Sequence, residues 1–243
     1  PVKTRFDFSK ALAGRKLKAG EFSFQLKDAN GTVLQTKTNN ASGVVAFDDL
    51  SFDNTQVGTH KYTVEEVQGS EAGMTYDPMK AEVTITVTKD GHVLKATNTL
   101  PSDTEFNNTF KSSPVKVNLE FDKSLSNGTL NAGDFSFTLT GDNNVNETVT
   151  NKADGKINFG ELSFDKVGVY NYTVKEVKGN KPDVDYDEMT VAVKVTVTKD
   201  EDSGLLTAKT ELTSTGGEAT GTDDKTFNNY AVAPVTAQFD FSK

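Results

Sequence analysis

The chain has 243 residues, no cysteine and a net charge of −9, which excludes disulfide closure and thiolate-held metal and argues against a nucleic-acid surface. Acid is concentrated in one half: residues 1–112 hold 13 basic and 14 acidic side chains, residues 113–232 hold 12 and 20, a pattern that favours solubility rather than a charged binding face. No apolar run is long enough to cross a membrane, and the expectation is that any leader or sorting motif lies outside this stretch.

In chain order, the first predicted strand places Phe6, Phe8 and Lys10 on one face, because side chains alternate along a strand. The landmark Ala19-Gly20-Glu21-Phe22-Ser23-Phe24 opens the next. A strand with Tyr62, Val64 and Glu66 in phase comes after it, then the pair Tyr76-Asp77, the alternating run Val83–Thr88, and a last strand with Phe106 and Asn108 in phase. Asn30-Gly31 and Asp90-Gly91 are hairpin dipeptides suited to tight turns with positive φ. The same order returns as Leu119, Phe121 and Lys123, then Ala132–Phe137, then Tyr172, Val174 and Glu176, then Tyr186-Asp187, and finally Phe227 and Asn229. A third copy begins with Phe239, Phe241 and Lys243, so the chain reads as part of a longer repeat array.

No stretch holds a helical period. The expectation is all-β: two tandem Ig-like antiparallel β-sandwich domains with Greek-key connections, at 1–112 and 113–232, with 233–243 as the first strand of a following repeat. Pro114 and Pro234 mark the junctions. The copies differ mainly before the last strand, where the interval from Lys199 to Phe227 exceeds that from Lys89 to Phe106; the additional residues around Ser214–Gly221 are expected to form a flexible surface loop.

Each copy thus turns an amine, a carboxyl and a carboxamide toward its interior. A buried ion pair between lysine and glutamate is the plain alternative, but desolvating both charges is costly. An apolar interior favours the neutral forms, lowering the amine pKa and raising that of the carboxyl. A neutral amine can attack the carboxamide carbon while the protonated carboxyl polarises the oxygen and relays protons, releasing ammonia and leaving an isopeptide bond. Doubled asparagines leave a choice of register between Asn107 and Asn108 and between Asn228 and Asn229. Parity favours the second of each pair. Glu65 is set aside because the second copy has Lys175 there.

Lys10, the run Tyr62-Thr63-Val64-Glu65-Glu66 and Phe106-Asn107-Asn108 resemble the streptococcal pilin isopeptide linkage domain, the FctA-like repeats of Gram-positive surface proteins, and the likeness recurs in the second copy. It implies a CnaB-like sandwich and cross-links Lys10–Asn108 and Lys123–Asn229, with Glu66 and Glu176 as catalysts. Phe110 and Ala231 depart from the tyrosine that the family tends to place there.

The remaining motifs point to little. His60 and His92 are isolated and expected to face solvent; Asp200–Gly204 lacks the ligand series of a calcium loop; Asn107-Asn108-Thr109 is an incidental acceptor sequence. The expected function is a structural stalk in a cell-surface adhesin, extracellular and anchored through other regions, that projects a distal adhesive domain able to meet a host surface ligand. No turnover, cofactor, metal, nucleic acid or membrane insertion is expected. The chain should be a monomer whose partners are its neighbouring repeats, with Lys243 a free amine. The rival readings are a host-ligand-binding repeat and a pilus shaft subunit.

Overall fold

The computed structural model describes residues 1–233 and 235–241; Lys243 and the Pro234 junction lie outside the described residues. Two compact units divide the chain. One is Pro1–Ser113 together with Asp200–Leu205, and the other starts at Pro114 and continues through Lys199 and again from Leu206.

In the first unit the strands are β1 (Val2–Thr4), β2 (Asp7–Ala13), β3 (Ser23–Asp28), β4 (Val33–Thr38), β5 (Val44–Ala46), β6 (Leu50–Phe52), β7 (Gly58–Glu66), β8 (Met74–Thr75), β9 (Lys80–Asp90), β10 (Val93–Thr99) and β11 (Glu105–Phe110). They form a five-stranded sheet in the order β10-β9-β7-β3-β4 and a four-stranded sheet β5-β2-β11-β8, with a small β1-β6 pair beside them. The inward faces meet in a phenylalanine-rich core, where the Phe24 ring from one sheet lies 5.1 Å from that of Phe106 on the other. Gly31 and Gly91 turn the β3–β4 and β9–β10 hairpins with φ of +82° and +59°, as the two dipeptides predict.

The second unit repeats this with β12 (Val115–Val117), β13 (Glu120–Ser126), β14 (Ser136–Gly141), β15 (Val145–Thr150), β16 (Lys156–Asn158), β17 (Leu162–Phe164), β18 (Gly168–Val177), β19 (Val184–Asp185), β20 (Thr190–Lys199), β21 (Leu206–Thr215) and β22 (Thr226–Ala231). Its sheets run β15-β14-β18-β20-β21 and β16-β13-β22-β19, beside a β12-β17 pair.

The all-β sandwich expectation holds, with one feature that alternation along the strands does not predict. Among the described residues pairing is antiparallel except where the first long strand of each unit meets its last: β2 and β11 run parallel, as do β13 and β22. Phe106 therefore stands opposite Lys10, and Phe227 opposite Lys123. Val235–Phe241 belong to no strand, and Phe239 and Phe241 are 78% and 94% exposed; a strand needs a partner edge for its backbone groups.

Candidate functional site

Lys10 follows Phe6 and Phe8 onto the inward face of the four-stranded sheet. Asn108 lies on the neighbouring strand opposite Leu12, one diagonal step from the lysine on the same face. Glu66 ends β7 in the facing sheet, opposite Phe24. The cluster thus spans the core from one layer to the other, in the midst of apolar side chains.

Its contacts form a chain. The Lys10 Nζ donates to Glu66 Oε2 at 2.9 Å, and Asn108 Nδ2 donates to Glu66 Oε1 at 2.7 Å. The second unit reproduces this, with Lys123 Nζ to Glu176 Oε2 at 2.9 Å and Asn229 Nδ2 to Glu176 Oε1 at 2.6 Å. Both lysine and both glutamate side chains are wholly buried, and Asn108 and Asn229 are 1% and 0% exposed. One carboxyl therefore touches both the amine and the amide nitrogen of the same unit, with no solvent between.

Burial shifts the equilibria of both lysines and of Glu176. Desolvation pushes the Lys10 and Lys123 amines below the ordinary lysine value, against the opposing pull of their glutamates. Glu176 is pushed up by desolvation, with Lys123 and Asn229 working against the shift. In the second unit both shifts favour passing the proton from amine to carboxyl, which leaves a nucleophilic amine beside an acid.

Several features here carry no signal in the alternation pattern. The amide oxygen is not turned to the glutamate: Asn108 Oδ1 accepts the backbone N–H of Asp77 at 2.8 Å, and Asn229 Oδ1 that of Asp187 at 2.8 Å. The donor facing the oxygen, expected to be the carboxyl, is a main-chain N–H, while the carboxyl faces the amide nitrogen. Phe22 and Phe135, part of the shared Phe-Ser-Phe landmark, wall the amine, with Nζ 4.7 Å and 4.8 Å from the ring centroids. Tyr76 and Tyr186 meet these rings edge-on at 6.1 Å and 5.8 Å. Gly43 and Gly155 let a loop pass the lysine strand, since a Cβ there would stand 2.3 Å from the Lys10 carbonyl oxygen and 2.5 Å from that of Lys123.

The residues set aside lie elsewhere. Asn107 is exposed and donates to the Glu105 carbonyl, while the Asn228 amide meets Ser124 and Thr226. Glu65 pairs with Lys27 and Lys80. His60 is half-buried rather than solvent-facing: its ring packs 4.9 Å from that of Phe52 and meets the Gln56 carbonyl. Asp200 caps its own turn by accepting from Ser203.

The loop after β21, largely exposed at the surface, carries internal hydrogen bonds. Ser214 N–H donates to the Thr222 carbonyl, Thr220 binds Asp224 through both N–H and hydroxyl, and Ala219 packs against the core. Internal hydrogen bonds thus give the added residues a structure of their own.

The family described as Spy0128-like isopeptide containing domain, FctA, matches residues 6–111 and again 119–231. The chain belongs to the FctA family. Membership gives it a structural, pilin-like role of the kind found in surface proteins, and no catalytic family is matched. Among solved structures, this FctA chain is similar to the T-13 major pilin of Streptococcus pyogenes, at 16% identity over 95% of this chain and 97% of that one, with a TM-score of 0.35. It is also similar to a C-terminal fragment of the pilus adhesin SpaC from Lactobacillus rhamnosus GG, at 15% identity, 97% and 100% coverage and a TM-score of 0.33. A third is the Bacillus anthracis TIE protein, at 15% identity, 95% and 34% coverage and a TM-score of 0.25. No curated protein sequence matches the chain.

Proposed function

We propose that each unit closes itself once with an isopeptide bond, Lys10–Asn108 and Lys123–Asn229, and that the linked units serve as stalk repeats of a bacterial surface adhesin. The observation that carries this reading is the glutamate bridging amine and amide nitrogen in a dry core, in both units. In the reaction, lysine Nζ adds to asparagine Cγ, the Cγ–Nδ2 bond breaks, and Nδ2 leaves as ammonia. The glutamate takes a proton from the attacking amine on one oxygen and hands one to the departing nitrogen from the other. Amine plus carboxamide gives secondary amide plus ammonia, so nothing external is consumed. Each site reacts once, and holding the partners in contact removes the entropic cost of their encounter.

Intact-mass measurement tests this reading: the purified chain should weigh two molecules of ammonia less than its sequence, and a mass equal to the calculated one would end it. Peptide mapping should join the fragment containing Lys10 to that containing Asn108, and Lys123 to Asn229. Cross-linked peptides ending on Asn107 or Asn228 would instead contradict the register.

Substituting the carboxyl separates catalysis from folding. Glu66→Ala should leave the first unit folded but unlinked and restore one ammonia to the mass, while the second unit remains closed; Glu176→Ala should do the converse. Normal bond formation in Glu66→Ala would show that another group carries the proton.

A further inference from the structure

The Tyr-Asp landmark stands beside the asparagine in both units, and its aspartate makes the same three contacts each time. Its backbone N–H donates to the amide oxygen, as described. One carboxylate oxygen accepts the N–H of the residue just before the reacting asparagine, Asn107 to Asp77 at 2.7 Å and Asn228 to Asp187 at 2.7 Å. The other accepts the N–H two residues on, from Met79 at 2.9 Å and Met189 at 2.8 Å. We infer that Asp77 and Asp187 are positioning residues for bond formation, which tie the last strand to the segment carrying the donor that faces the amide oxygen. The inference rests on the bond-forming reading above.

Chemistry explains why aspartate suits this position. As Nζ adds to Cγ, negative charge grows on Oδ1, and a fixed N–H in a water-free site stabilises it. That donor works only if it stays aligned, and the carboxylate supplies the alignment by accepting two main-chain N–H groups, one on each oxygen. Asparagine retains a single acceptor oxygen and turns an NH2 toward the other N–H; alanine retains neither. The carboxamide is thereby held at both ends, nitrogen by glutamate and oxygen by main chain.

The second unit reinforces the same residue. Its longer loop brings the Glu218 N–H to Asp187 Oδ1 at 3.0 Å. Gly217 packs so closely that a Cβ would stand 2.1 Å from that oxygen and 2.3 Å from the Met189 nitrogen. Asp187 is accordingly 4% exposed. The loop acts as a lid on the positioning aspartate.

The test follows ammonia loss over time in the full chain made by cell-free synthesis, with each unit resolved by peptide mapping. Asp187→Ala should slow closure of the second unit by about tenfold or more, as misplacement of reacting groups does, and Asp187→Asn should slow it less. The first unit should close at its normal rate in both. A parallel Lys123→Met chain, unable to link, reports folding: with Asp187→Ala added, its near-ultraviolet circular dichroism should be unchanged at the assay temperature. Normal closure in Asp187→Ala overturns the inference. If Asp187→Ala unfolds the unlinked chain, Asp187→Asn decides, and normal closure there overturns it equally. Full calculated mass in the wild-type chain would sink the bond-forming reading itself, an outcome distinct from fast closure in the aspartate variants.

Discussion

Pulled from its two ends, the wild-type chain should lengthen only by its connectors and terminal segments, whereas Asn108→Ala should release on the order of 300 Å of hidden chain from the first unit. The parallel pairing of β2 with β11 explains the size of this effect. Tension enters the unit along β2 and leaves along β11, and these two strands are direct neighbours. Without a bond, the load falls on their shared hydrogen bonds, and once those fail about 100 residues unravel. With Lys10 joined to Asn108, force crosses from one strand to the next through covalent bonds, and every strand between is bypassed. Single-molecule pulling distinguishes the cases, and complete unravelling of wild-type units at moderate force would contradict the proposed stalk function.

Heat should show a comparable difference. Asn229→Ala is expected to lower the melting temperature of the second unit by on the order of 20 °C, read by scanning calorimetry with the first unit as internal reference. Closing a loop of about 100 residues removes roughly 4–5 kcal/mol of unfolded-chain entropy, and each kcal/mol moves the midpoint of a domain this size by about 4–8 °C. Leaving Lys123 and Glu176 as an unreacted buried pair adds a desolvation cost in the same direction. A shift of only a degree or two would show that the unlinked sandwich already carries the stability, and that the cross-link serves some other end.

The inward residues were legible because strand parity is a local property. Phe6, Phe8 and Lys10 share a face whatever they pack against, as do Val64 with Glu66 and Phe106 with Asn108; alternation sets Asn107 and Glu65 on the opposite faces, and the structure places them there. Repetition strengthened the pattern, since the same three residue types recur in the same order with the same phase. The turns were equally local, because Gly31 and Gly91 supply the positive φ their hairpins need.

What parity does not contain is which strands become neighbours and in which direction they run. The parallel β2–β11 register joins residues at opposite ends of a unit, and it alone sets Asn108 a diagonal step from Lys10. The same long-range packing brings Glu66 across from the facing sheet to the amide nitrogen. It also sets the backbone N–H of Asp77 on the amide oxygen, and a main-chain donor is present at almost every residue, so no letter of the sequence marks the one that matters. The loop of the second unit has more internal bonding than its Gly, Ser and Thr composition indicates: Asp224 accepts from Thr220 only four residues away, whereas Asp187, which accepts from Glu218, is an acceptor that only the folded chain brings within reach. The amino-acid sequence by itself determined which side chains enter each core, through a period of two; the tertiary structure decided which of them touch, because contact depends on pairing between segments that are distant along the chain.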